Sequence, residues 1–143
     1  MALAASLQHL GEHFDSASAC VLGDALDRAT ALYLQNGREP ARKVGQLDNR
    51  GSTFYLALYW AQALAQQETD ARLAHRFHAV AAELTRNESR IVAELNGAQG
   101  SSQDIGGYYR PDPTRTERAM RPSPTLNAII DAIAPARQES VSA

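Results

Sequence analysis

The chain has 143 residues, 44% hydrophobic and 21% charged, with a formal net charge of -2. Those values fit one globular domain with a real core and exclude a largely disordered chain. The slightly acidic balance, without a basic stripe, excludes nucleic acid as the main partner, and the single cysteine, Cys20, excludes an internal disulfide framework and points to a reducing compartment.

The opening "MALAASLQHLGEH" has neither the basic start nor the long apolar centre of a signal peptide. No run approaches the ~18 apolar residues that a membrane span needs. The expected setting is the cytoplasm, away from membranes. Residues 3 to 14 read as a first short helix. Within it, His9, Glu12 and His13 spell H-x-x-E-H, the inverted zinc-protease pattern. Two histidines four apart could share a metal, but Gly11 interrupts the motif and no further motif supplies a third ligand. A solvated helix end is the favoured reading, with no metal bound.

A second helix follows the capping pair Asp15/Ser16, with Leu22, Leu26, Ala29 and Tyr33 at helical spacing. Cys20 sits within it as a packing residue, and Asp24 and Arg28 form an i, i+4 pair. Asn36-Gly37 supplies a left-handed end. The loop "NGREPARKVGQLDNRG" then breaks regular structure at Pro40, Gly45 and Gly51.

Ser52 is the expected N-cap of a third helix running to about Gln67. Phe54, Tyr55, Leu56, Leu58, Tyr59, Trp60 and Leu64 cover nearly its whole circumference, the pattern of a central, buried helix. Its tyrosines and Trp60 are therefore expected in the core. Arg50 stands just before this helix, at the positive end of its dipole, where a cation is disfavoured. Two readings stay open: Arg50 binds an anion such as a phosphate, or it is tied to Asp48 or to a loop carbonyl.

Asp70 caps a fourth, long helix carrying Leu73, Phe77, Val80, Leu84, Ile91 and Leu95 along one face, closed by Asn96-Gly97. His75 and His78, with Arg72 and Arg76 around them, read as its polar face. The segment "GAQGSSQDIGGYYRPDP" is irregular, and Tyr108 and Tyr109 suggest that it packs against something. "SPTLNAIIDAIAP" is a last helix, with Ser123 as N-cap, Pro124 at its first position and Pro135 as its stop. The tail "ARQESVSA" has no helical pattern. The expected fold is all-α: one helical domain over 1–143, an irregular bundle around a central buried helix, with a Gly/Pro-rich irregular segment near the C-terminus. No Gly-rich phosphate loop and no Ser-His-Asp arrangement can be read.

"PARKVGQLDNRGSTFYLALYWAQALAQQ", "IVAELNGAQGSSQDIGGYYRPDP" and "MRPSPTLNAIIDAI" together resemble the C-terminal end of the monomeric NADP-dependent isocitrate dehydrogenases. The resemblance implies a family that oxidises isocitrate to 2-oxoglutarate and carbon dioxide with NADP and a divalent magnesium or manganese ion. It implies that Arg50, the arginine of D-N-R-G-S, contacts the 2′-phosphate of NADP. Thr53 stands where the family typically has histidine. The resemblance also implies that the metal-holding aspartates, the isocitrate-binding groups and most NADP contacts lie upstream, with no counterparts here. The expected site is then Arg50 alone as a cofactor contact, with no catalytic and no metal-binding residue. Such a chain is a C-terminal piece of the enzyme, or a short free-standing relative, inactive alone. Its expected partners are the missing catalytic region, a full-length dehydrogenase or a second copy in a symmetric dimer, the last because losing a large neighbour exposes apolar surface. Rival readings are a non-catalytic binding or regulatory module and a purely structural remnant.

Overall fold

A computed structural model describes residues 2–133, so the expected stop at Pro135 and the tail lie outside the described residues. Seven helices follow in order: α1 (Ala2–His13), α2 (Ala17–Gln35), α3 (Asn49–Gln66), α4 (Ala71–Arg86), α5 (Glu88–Gly97), α6 (Pro113–Met120) and α7 (Pro124–Ile133). No strand occurs among the described residues, as expected for an all-α bundle.

The apolar girdle of α3 decides the architecture. Its Phe54, Tyr55, Leu58 and Ala61 join Ala81 and Leu84 of α4 and Ile91 and Leu95 of α5 in one core. On another side, Ala63 and Leu64 pack with Val21 and Ala25 of α2. A helix that contributes to both clusters is central, as its pattern predicts. Trp60 donates its indole N–H to the Leu22 carbonyl at 3.0 Å, which satisfies its only polar atom. α1 in turn lies across α2.

Five local expectations are corrected. Ser52 does not cap α3; Asp48 does, its Oδ1 accepting from the backbone N–H groups of Arg50 and Gly51 at 2.9 and 3.0 Å. Ser52 is buried instead, its hydroxyl 2.6 Å from that of Tyr33 on α2. The expected single helix from Asp70 to Leu95 is two helices. Asn87 ends α4, its amide donating to the Glu83 carbonyl at 2.9 Å, and its own carbonyl opens α5 by accepting from Ile91 at 2.9 Å. An asparagine side chain that competes for backbone groups breaks the helix there. α6 is an addition to the expected elements: Asp112 caps it through Arg115 N–H at 2.9 Å and Pro113 occupies its first turn. Tyr108 and Tyr109 do not pack against the body: they are 90% and 96% exposed, with their rings edge-to-face on one another.

Asp24 accepts from Gln8 Nε2 of α1 at 3.1 Å rather than pairing with Arg28. Asn36-Gly37 ends α2 as expected, Gly37 adopting φ +58° with open space around it.

Glu94 of α5 pins the start of α7. It accepts from Ser123 Oγ at 2.6 Å, Thr125 Oγ1 at 2.8 Å and Thr125 N–H at 3.2 Å, and from Arg90 Nε at 3.0 Å. Ser123 Oγ also accepts from Leu126 N–H at 3.1 Å, so it remains the cap of α7. The Ser123 hydroxyl bond, opposed by burial and helped by Thr125 and Arg90, holds the Glu94 carboxyl down at about 2 against an ordinary 4.5. A carboxyl that ionises more easily when folded stabilises above its unfolded value, and this contribution drains as pH falls from about 4.5 toward 2. Glu94→Gln is expected to cost about 1–2 kcal/mol at neutral pH. Its stability should fall less steeply than that of the wild type between those pH values. Urea titrations at stepped pH read both effects, and parallel pH profiles would refute this role for the charge.

Candidate functional site

The loop between α2 and α3 begins with an anchored residue. Arg38 lies over the Tyr55 ring, its guanidinium carbon 4.0 Å from the centroid, and donates Nε–H to the Tyr59 hydroxyl at 3.3 Å. Burial and a hydrogen bond to Glu88 at 2.8 Å push the Tyr55 hydroxyl up to about 12, so it stays a neutral donor. Downstream, the loop folds on itself: Ala41 N–H donates to the Leu47 carbonyl at 2.7 Å, and Gln46 N–H to that of Lys43 at 3.2 Å.

Arg50 follows on the first turn of α3. Its Nε and Nη2 both donate to Asp48 Oδ2, at 3.0 and 2.8 Å, and Nη1 donates to the Ala119 carbonyl of α6 at 3.2 Å. The carboxylate of Asp48 therefore offsets the unfavourable placement of a cation at a helix start. Burial pushes the Asp48 carboxyl up, but the Gly51 N–H and the Arg50 guanidinium outweigh it and hold it below its ordinary value. A guanidinium has five N–H donors; these contacts use three, and the other two meet no acceptor among the described residues. Gly51 beside it is closely approached by Leu47, whose Cδ1 would lie 2.6 Å from a Cβ and would have to swing aside for any side chain there.

Arg50 stands between two cavities. On one side, an open polar cleft of 310 Å³ runs between residues 41–44 and 98–103. Its lining includes three cations, Arg42, Lys43 and Arg50, against one carboxylate, Asp48, with Gln99, Ser101 and Gln103 opposite. On the other side, a largely apolar groove of 310 Å³ is bounded by Phe54, Leu95, Met120 and Leu126. The two walls of the polar cleft are joined by Gln99. Its Oε1 accepts from Gly45 N–H at 2.8 Å, and its Nε2 donates to the Gln46 carbonyl at 2.8 Å and to Asn96 Oδ1 at 3.1 Å. On an acidic chain this is a local concentration of positive charge, suited to an anion.

Arg50, singled out from sequence, is thus at the centre of the site, tied to both Asp48 and a carbonyl. Arg42 and Lys43 were visible only as a basic pair, and Gln99 carried no signal, since the residues it joins lie more than fifty positions apart in sequence. The other candidates stay outside. His9 and His13 stack at 5.7 Å between ring centroids on the exposed face of α1, far in sequence from any partner motif. His75 and His78 are exposed on α4. Among the described residues, no group of three or more His, Cys, Asp or Glu side chains could hold a metal ion. A further cavity, of 220 Å³ beneath α7, is lined by apolar residues such as Trp60, Phe77 and Ile129 and offers no polar group to orient a ligand.

A family model described as monomeric isocitrate dehydrogenase matches residues 1–131. The chain is 54% identical over 133 residues to isocitrate dehydrogenase (NADP) 2 of Colwellia maris, covering 93% of this chain and 18% of that protein. It is 54% identical over 134 residues to isocitrate dehydrogenase (NADP) of Azotobacter vinelandii, covering 94% and 18%. With isocitrate dehydrogenase (NADP) 2 of Mycobacterium tuberculosis it shares 49% over 133 residues, again 18% of the relative. The chain thus spans less than a fifth of the length of these relatives, as a portion of such a protein would. The match to that family model over residues 1–131 shows that the chain belongs to the monomeric isocitrate dehydrogenase family.

Proposed function

We propose that this chain is the C-terminal part of an NADP-dependent isocitrate dehydrogenase, in which it contributes a contact to the 2′-phosphate of NADP through Arg50 and no catalytic group. The observation that carries this reading is the cationic cleft around Arg50, whose guanidinium, after Asp48 and Ala119 are served, keeps two donors without an acceptor among the described residues. NADP, when bound, supplies the hydride acceptor of the family reaction. The cleft residues fit its phosphate: Asp48 orients the guanidinium, and Arg42 and Lys43 add charge at the rim.

The divalent ion of the family is a different matter. The donors that the described residues offer do not fit it, so no step is assigned to it in this chain. Oxidative decarboxylation also requires a placed acid and base, and a nicotinamide held against the substrate carbon. A far phosphate contact provides neither. The chain is accordingly inactive by itself, and it acts when joined to or complemented by the rest of the family polypeptide.

Calorimetric titration of the chain with NADP and with NAD tests the phosphate contact. NADP is expected to bind more tightly by roughly tenfold or more, the effect of one charge-assisted hydrogen-bond set. Arg50→Ala should abolish that preference. Equal heats for the two nucleotides with unaltered Arg50 would sink the reading.

A second reading concerns partners. Leu3, Leu10, Phe14, Met120 and Ile130 are exposed by 45% or more, on a chain spanning under a fifth of its relatives. Apolar surface of this kind favours self-association, as a symmetric dimer, when the remaining polypeptide is absent. Sedimentation equilibrium at rising concentration tests it, and a monomer throughout would count against it.

A further inference from the structure

The polar cleft contains more than Arg50. We infer that Lys43 is a second direct ligand of the anion there, and that Gln99 is a positioning residue that holds the Lys43 loop in place. This rests on the reading that the cleft beside Arg50 takes a phosphate.

Three observations support the assignment. First, the charge matches. Asp48 is already engaged by Arg50, so the three cations of the lining leave an excess of two positive charges. A terminal phosphate carries about -1.5 to -2 at neutral pH, whereas a bridging phosphodiester carries a single charge. Second, the loop that presents Arg42 and Lys43 is shaped before any ligand arrives. The bond from Ala41 N–H to Leu47 O closes it, and Gly45, at φ +85°, makes the turn that follows Lys43. Preformed geometry lowers the ordering cost of binding. Third, one side chain fixes the distance between the two walls. The Gln99 amide both accepts from Gly45 and donates to Gln46, so it reads both faces of the loop at once, and it is held in turn by Asn96 at the end of α5. A lysine on an untethered loop would sample many positions and lose side-chain entropy on binding. Here the loop backbone is set, and the opposite wall offers Ser101 and Gln103 as neutral hydrogen-bonding groups for the remaining phosphate oxygens.

The test uses the full chain and adenosine 2′-monophosphate as the probe, followed by amide chemical-shift titration, with adenosine as the control. Saturable shifts are expected at residues 43–45 and 99–103 with the phosphate and not with adenosine. Lys43→Gln should weaken binding by about tenfold, and Lys43→Arg should restore it. Gln99→Leu should weaken it comparably although every cation is still present. Unchanged helical circular dichroism and melting would show that this loss is not unfolding. If Lys43→Gln and Gln99→Leu bind like the wild type while Arg50→Ala does not, the inference is overturned and the Arg50 contact survives. If Arg50→Ala binds like the wild type while Lys43→Gln is weakened, the Arg50 contact fails and Lys43 stands as a ligand. Absence of saturable shifts anywhere in the wild type overturns both.

Discussion

Phe54→Ala is expected to lower unfolding stability by about 3–5 kcal/mol, a large share of the ~5–15 kcal/mol that a domain commonly has. Phe54 is 2% exposed and packs within the cluster that joins α3 to α4 and α5. Its ring lies 5.2 Å from that of Tyr55, and it also bounds the groove beside Arg50. Truncation removes the transfer free energy of a whole aromatic ring and leaves a cavity, which the packed helices around it can close only in part. Because Phe54 follows Arg50 by one turn, the loss should reach the site as well as the core. Phe54→Leu, which keeps most of the volume, should cost much less, on the order of 1–1.5 kcal/mol. Urea unfolding reads both values. A shift of the midpoint at constant slope is the expected form of the change. A cost under about 1 kcal/mol for the alanine variant would mean that this side chain does not fill the centre of the core.

The second large effect belongs to Gly11. A Cβ at this position would lie 2.3 Å from Cys20 Sγ, 2.9 Å from Cys20 N and 3.0 Å from Ser16 O. The sulfur can swing away, but the two backbone atoms belong to the start of α2 and cannot. Gly11 is therefore what lets α1 approach α2 closely, together with Gly23, where a Cβ would meet Gln8 Cγ at 2.9 Å and Ala4 O at 3.1 Å. Gly11→Ala should gain up to about 1 kcal/mol of helix propensity and lose more to the forced separation. The expected net cost is about 1–3 kcal/mol, and the larger Gly11→Leu should exceed it by prising α1 away. Hydrogen exchange would locate the damage, since protection should drop in α1 before the core helices. Adding Cys20→Ala to Gly11→Ala should recover only part of the loss, because the backbone contacts remain. A rise in stability for Gly11→Ala alone would contradict the close approach of the two helices.

Much of this protein is legible in its order of residues, wherever the governing force is local. Apolar spacing sets α1, α2, α4 and α7. The girdle of Phe54, Tyr55, Leu58 and Leu64 requires α3 to be buried on several sides, which makes it central. Gly37 ends α2 because a left-handed residue is cheapest without a Cβ. Long, idiosyncratic strings are enough for the family. The places where local reasoning misleads are those where two local options compete and packing decides. Asp48 and Ser52 are both good caps. Burial of Ser52 against Tyr33 removes it from that role and leaves Asp48 to cap the start of the helix. Asn87 could continue a helix or end it, and the turn that brings Ile91 and Leu95 onto α3 requires the end. Tyr108 and Tyr109 look like packing residues, yet nothing within the described chain covers them.

The cleft shows the division most clearly. Sequence identifies Arg50 as anomalous, because the helix dipole penalises a cation at that position whatever the fold. Sequence cannot say that Gln99 ties Gly45 and Gln46, or that residues 98–103 face Arg42 and Lys43. Those pairings span more than fifty residues and exist only because α3 and α5 pack side by side and carry both segments to the same end of the bundle. Local propensity and periodicity fix each helix. The meeting of distant loops follows from how the helices pack, and only the tertiary structure contains it.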